Sequence, residues 1–232
     1  MNCSSLLPQN LQISPDGKNI VTVKNTERGA MILLYGTESI QDESAQFVQP
    51  ESSLCQNPTD CWSARFIKIQ KTTLLVLCQS QQLLIFNQNQ SRLLFKFEIA
   101  TPHWFTSACL AFSQPTGEEF IAVGASNGTV YRVSVGANAS NFVKDNGHSL
   151  GEEYPITGLA ACPKSRSIVV ATADSTAFFF KPQDGSKWEQ IGKSEGPKNS
   201  SCLLAECMPR RFGNLCLLGY TNGLVSLFST AE

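Results

Sequence analysis

The sequence predicts an all-β fold made of one four-stranded unit repeated about five times, and three observations predict it. Short apolar runs bounded by Gly, Pro, Asn, Asp and Ser recur along the chain, and helix-period stripes are hard to find. Five of the runs, GAMILLYG, QQLLIFNQ, GTVYRVSV, STAFFFKP and GLVSLFST, align as the same strand. Their anchors Tyr35, Phe86, Val133, Phe180 and Phe228 are spaced by 51, 47, 47 and 48 residues. Ahead of the last three anchors, Asn127-Gly128, Asp174-Ser175 and Asn222-Gly223 open turns. Tight hairpin turns need φ > 0, which Asn, Asp and Gly tolerate best.

Each element of the unit follows from the same pattern. The strand before the turn reads NIVTVK, TLLVLC, FIAVGA, SIVVATA and NLCLLGY in the successive units. Before it stands a third strand: NLQIS, SARFI, CLAFS, ITGLAACP and CLLAEC. A looser fourth follows the anchor, as in RLLFKFEI and KWEQIG. A repeat of about 48 residues lies close to the ~40–45 residues of a propeller blade. A β-sandwich has no reason to keep this strand-and-turn order at a fixed period. The expected architecture is therefore a single β-propeller domain over 1–232. Its blades fall near 9–49, 61–100, 106–146, 154–194 and 200–232, the last without its fourth strand.

Composition narrows the function classes. A hydrophobic content of 42% over 232 residues is enough for a core that needs no staples. A net charge of −1, with 16% charged residues, argues against wholesale nucleic-acid binding or a membrane-surface role. The start MNCSSLLPQN has no basic region followed by an apolar run, so it does not read as a signal peptide. The longest apolar stretches, Leu74 to Cys78 and Ala177 to Phe180, are too short to span a bilayer. The nine cysteines are odd in number and form no CxxC, and Cys78, Cys109 and Cys216 sit inside strand patterns as small hydrophobes. A reduced, cytoplasmic protein is expected. The Asn-x-Ser/Thr triplets at Asn2, Asn89, Asn127, Asn138 and Asn199 then read as accidents of composition.

The blade grammar resembles the WD40-repeat family. Gly147-His148 precedes a blade and Thr172-Ala173-Asp174 enters its inter-strand turn. The resemblance implies a buried network of His148, Thr172 and Asp174. Phe180 holds the family's Trp position and has no N–H to donate, and no unit carries a Trp-Asp pair. Most blades should then be held by apolar packing. The phrases QNLQIS, LLVLCQSQQLLIFN, FIAVGASNGTVYRVSV, YPITGLA, VVATADS and LLGYTNGLVSLFS are, in this order, similar to one branch of the family. That resemblance implies protein interaction through a single propeller, with no catalytic residues and no cofactor. It also implies about two further blades beyond Glu232. The expected ring is thus incomplete or open, since an uncovered blade leaves an apolar face and a sheet edge. A short chain, a partner or self-copy that closes the ring, or a tight five-blade closure using Met1 to Leu11 are the alternatives.

Chemistry-bearing residues are sparse. The chain has two histidines, His103 and His148, and Cys55/Cys61 and Cys202/Cys207 lack zinc-site spacing, so no metal is expected. No G-x-S-x-G and no P-loop occurs. The paired acids at Glu118-Glu119 and Glu152-Glu153 read as solvated turns, and the innermost strands are small and mostly uncharged. A propeller hydrolase remains the least favoured reading.

Partner binding is the better one. The connectors 49–61, 101–106, 147–155 and 195–200 should gather on one face with the Asn-Gly turns. There Trp104 and Phe105 are candidate anchors, with Tyr154 and Arg28 beside them, because aromatic residues and Arg dominate interface hot spots. Alternation along a strand would bury one of the two adjacent aromatics. On the opposite face Lys68, Lys71, Lys164, Arg166, Arg210, Arg211, Lys181 and Lys187 form a basic sector. Asp16, Glu38, Asp42, Glu118 and Glu119 mark the acidic units. That sector could meet an acidic partner such as a tubulin tail; ordinary solvated turns are the competing reading. The expected partners are proteins, including a self-copy or neighbour that completes the ring, with no nucleic acid and no membrane. The alternative is a structural subunit of a ciliary or cytoskeletal assembly.

Overall fold

In the computed structural model the described residues are 11–26, 29–36, 61–88, 92–184, 187–208 and 214–230. They form five antiparallel sheets, each built from strands consecutive in the chain. The first holds β1 (Leu11–Ile13), β2 (Asn19–Thr26) and β3 (Gly29–Gly36). The second holds β4 (Cys61–Ile69), β5 (Thr72–Gln79), β6 (Gln82–Asn87) and β7 (Leu93–Glu98). The third runs through β8 (Phe105–Phe112), β9 (Glu119–Ala125) and β10 (Thr129–Val135). Its outer edge is shared by β11 (Phe142–Lys144) and β12 (His148–Ser149), which both pair with β10. The fourth is β13 (Ile156–Cys162), β14 (Ser167–Thr172), β15 (Thr176–Pro182) and β16 (Trp188–Glu195). The fifth is β17 (Cys202–Cys207), β18 (Leu215–Tyr220) and β19 (Val225–Ser229). The chain is an all-β propeller of successive antiparallel sheets. Among the described residues a short 3-10 turn, Ala137–Ala139, interrupts the strands.

Packing between sheets explains the apolar alternation. Successive side chains of a strand point to opposite faces, so each blade offers one row to the blade before it and one to the blade after. Four apolar clusters fill the joints. Val21, Ile32, Leu75 and Leu77 join the first two blades, and Leu74, Val76, Ile121 and Val133 join the next two. Phe120, Ala122, Val170 and Phe180 join the third blade to the fourth. Ala160, Val169, Cys216 and Leu218 join the fourth to the fifth. A second strand is covered on both sides, and β14 is accordingly buried at every residue, whereas the outer β16 is mostly exposed.

The inner strands share a local device. The β4–β5, β8–β9, β13–β14 and β17–β18 ladders each lose register by one residue at the start of the inner strand. The shifts lie between Cys61 and Ser63, Phe105 and Ser107, Ile156 and Gly158, and Cys202 and Leu204. A bulge there sharpens the twist of the strand nearest the axis.

Among the described residues the arc has two uncovered ends. Leu11 and Ile13 on β1 are 60% and 59% exposed, and Val225 and Leu227 on β19 are 67% and 58% exposed. The matching rows of the middle blades are buried against a neighbour.

Candidate functional site

The inter-blade loops and the second-to-third-strand turns meet at one end of the blades, and repeated backbone bonds fix them there. The Ser126 N–H donates to the Trp104 carbonyl at 2.9 Å, Ala173 to Pro155 at 2.9 Å, and Thr221 to Ser201 at 2.9 Å. In the third blade the pairing is reciprocal, because the Trp104 N–H also donates to Ser126 Oγ at 3.0 Å. The Phe105 N–H reaches back to the Ser80 carbonyl of the preceding blade at 2.8 Å.

This frame sends the adjacent aromatics in opposite directions. Trp104 stands in the loop with 36% of its surface exposed. Phe105 is the first residue of β8 and is fully buried. Its ring lies 5.2 Å from Phe97 and 6.1 Å from Tyr131 in the joint between the second and third blades. The expectation that Phe105 contacts a partner is therefore corrected: β8 begins one residue earlier than the loop reading assumed, so its first side chain turns into the core. Tyr154 is half-buried, edge-on to Phe178 at 5.2 Å, and the Lys193 ammonium lies 5.5 Å from both rings. Arg28 lies outside the described residues.

At the other end of the blades, Lys164 and Arg166 are exposed. Arg166 adopts φ 52° and donates from its guanidinium to the Gln114 carbonyl at 3.0 Å. The Gln114 amide in turn donates to the Ser165 and Arg166 carbonyls at 2.8 and 2.9 Å. Arg166 is thus engaged in tying the third and fourth blades together. Arg210 and Arg211 lie outside the described residues.

The network implied for the fourth blade divides. Thr172 Oγ1 donates to Asp174 Oδ1 at 2.6 Å, and the Thr176 N–H and Oγ1 donate to the two carboxylate oxygens at 3.1 and 2.9 Å. Burial pushes the Asp174 carboxyl up, but the Thr172 and Thr176 hydrogen bonds outweigh it and hold it below its ordinary value. His148 does not join this network. It sits on the short β12, with its ring 5.0 Å from Phe180 and stacked 6.0 Å from Trp188. Burial lowers its pKa against a smaller opposing pull from Asp145. The reason is lateral: β12 pairs with β10 of the third blade, which places His148 in the apolar joint rather than beside the turn.

A central cavity of about 290 Å³ opens between the inner strands, lined by Gln12, Arg65, Lys68, Cys109, Ala160 and Glu206 among others. Arg65 extends across it to Glu206 at 3.7 Å, and the Phe66 N–H donates to Gln12 Oε1 at 2.9 Å. The small residues of the inner strands are visible in the sequence, but the Arg65–Glu206 pair across the axis is not. Among the described residues no three His, Cys, Asp or Glu side chains gather as a metal site, and no helix is long and apolar enough to cross a membrane.

No protein-family model matches the chain, and no curated protein matches it. Among solved structures it is similar to the crystal structure of Sqt1 from Saccharomyces cerevisiae. The TM-score is 0.65 and the identity 16%, over 93% of this chain and 56% of that one. The chain therefore spans about half the length of Sqt1. At this identity the likeness shows the fold alone.

Proposed function

We propose that this chain is a non-catalytic protein-interaction scaffold that grips partners through the loop face of its propeller, with Trp104 as the anchor. One observation carries the reading. Trp104 is a large aromatic, 36% exposed, in a loop whose backbone is clamped to Ser126, while its neighbour Phe105 is buried in the core. An exposed, rigidly mounted aromatic is what an interface anchor requires, because little ordering entropy is lost on contact. Tyr154 and Arg28 would flank it. The collinear phrases from QNLQIS to LLGYTNGLVSLFS are similar to those of WD repeat-containing protein fifty-four, which supports the same role and a cytoplasmic setting. The test is capture of partners on the immobilised chain. Trp104→Ala should reduce capture at least tenfold while the melting curve keeps its cooperativity. Equal capture by the two forms would refute the anchor.

A second reading rests on the two uncovered apolar ends. Leu11 and Ile13 at one end and Val225 and Leu227 at the other would be covered if the chain were a subunit of a larger assembly, ciliary or cytoskeletal, whose neighbour or self-copy completes the ring. The basic sector of Lys164, Arg166, Arg210 and Arg211 would then face an acidic partner. Sizing chromatography separates the readings, since a monodisperse monomer at high concentration counts against the assembly.

A further inference from the structure

We propose that the central cavity is a carboxylate-binding site built around Arg65, toward the end of the propeller opposite Trp104. The site follows from the register of the inner strands. The first residue after each bulge is Ser63, Ser107, Gly158 or Leu204, and two residues further on stand Arg65, Cys109, Ala160 and Glu206. All four line the cavity, so they form one layer around the axis. Cysteine and alanine leave room in that layer, and arginine and glutamate supply its charge. The lining residues of β4, β8, β13 and β17 lie in the second half of each strand, whereas Trp104 precedes the start of β8. The site is thus separate from the loop face and stands or falls independently of the anchor at Trp104.

Arg65 carries the unmet demand. Its side chain is 13% exposed, and its Nε is buried without a hydrogen-bond partner. The Glu206 carboxylate stands 3.7 Å from Nη1. That is too long for a charge-assisted hydrogen bond, which closes to about 2.7–2.9 Å. A guanidinium is always charged and offers five N–H donors in a planar fork. Buried donors are expected to be paired, so an orphaned one on a cation marks a place for an anionic acceptor. Glu206 does not fill that place: it reaches in from β17 and its side chain is 56% exposed.

The rest of the lining favours an anion. Arg65 and Lys68 stand against Glu206 alone among the charged lining residues, and Lys68 is exposed. The Phe66 N–H donates to Gln12 Oε1 at 2.9 Å, which leaves the other end of that carboxamide as a further donor in the cavity wall. A volume of about 290 Å³ is at the small end for a ligand site, and suits an acidic side chain or a small dicarboxylate rather than a nucleotide. The approach of Glu206 shows that a carboxylate can come up to the guanidinium. An incoming carboxylate that accepts from Nε and a terminal N–H together makes the bidentate pair that Glu206 does not make. It displaces Glu206 toward solvent at little cost, because an ion pair with a half-exposed acid is weak.

The experiment titrates the full chain by isothermal calorimetry at low ionic strength. The probes are glutarate and an acetylated, amidated Gly-Glu-Gly peptide, each beside an uncharged control, glutaramide or the Gly-Gln-Gly peptide. Saturable binding of a carboxylate probe without binding of its control is expected. Glu206→Gln should tighten binding about threefold, because the competing carboxylate is gone. Arg65→Gln should weaken it more than about tenfold. Tighter binding of the peptide makes the ligand an acidic side chain of a partner polypeptide, and tighter binding of glutarate makes it a free acid; either supports the site. Failure of both probes to saturate the wild-type chain overturns it. So does weaker binding by Glu206→Gln, which makes Glu206 part of the binding surface rather than a competitor, and so does equal binding of the uncharged controls. None of these three results needs an Arg65 variant to fold.

Discussion

Truncating Phe105 and Trp104 to alanine, one at a time, sets two neighbouring aromatics against each other. Phe105 is fully buried and packs on Phe97 and Tyr131 between two blades. Removing its ring takes apolar surface out of the core and leaves a cavity that the blade-to-blade fit cannot close. Such Phe→Ala changes cost about 3–5 kcal/mol. The ring also forms two aromatic pairs, tilted on Phe97 and edge-on to Tyr131. Each such pair is worth about 0.5–1.5 kcal/mol, which places this truncation in the upper part of that range. Trp104 is 36% exposed, and its truncation should cost about 1 kcal/mol, an ordinary value for a point change. With a urea dependence of about 2–3 kcal/mol per molar, the Phe105→Ala midpoint should fall by about 1.5–2 M and the Trp104→Ala midpoint by less than about 0.5 M. Urea titrations followed by far-UV circular dichroism measure both. If Phe105→Ala shifts the midpoint no further than Trp104→Ala, Phe105 is not the keystone between the second and third blades and the orientation of both rings is mistaken.

Other outcomes follow from the same packing. Asp174 has a folded-state pKa held below 3.8, so its contribution to stability is complete above the unfolded value and is lost as pH falls through the folded one. The difference in melting temperature between wild type and Asp174→Asn should be constant from pH 7 to 5 and shrink below about pH 4; a pH-independent difference would show that the Thr172 and Thr176 bonds do not depend on the charge. Gly128 holds φ +73°, and a Cβ there would meet the Gly151 carbonyl oxygen, so Gly128→Ala should cost more than about 2 kcal/mol, read in the same urea titration. A Val225→Lys, Leu227→Lys double variant places charge on an exposed edge strand, and light scattering should show less self-association without loss of the folded signal; unchanged scattering would mean that this edge mediates no association.

The blades were legible because their signals are local. Asn127-Gly128 and Asn222-Gly223 mark turns by backbone chemistry, and the unbroken apolar runs in FIAVGA or SIVVATA report burial on both faces. What the sequence hid depends on how blades sit beside each other. Phe105 and Trp104 are both large aromatics, and only the starting point of β8 decides which one is buried. His148 reads as a partner for Asp174 until β12 is seen to pair with β10. Arg132 looks like a surface residue of β10, yet it is 5% exposed. Its guanidinium lies 4.3 Å over Phe120 and donates to Gln183 of the next blade and to Glu118. The Arg65–Glu206 approach spans the axis between the second and fifth blades, a separation no pattern within one repeat can encode.

Because the apolar joints are each built from two successive sheets, local openings below the global transition should start at the two ends of the arc. The third blade has a neighbour on each side, while the first and fifth have one each among the described residues. Amide protons of β9 should therefore outlast those of β2 and β18 in deuterium exchange, with protection falling from the middle blade outward. Any ligand that bridges the two outer blades would slow exchange at both ends at once, which gives a direct way to recognise what caps them.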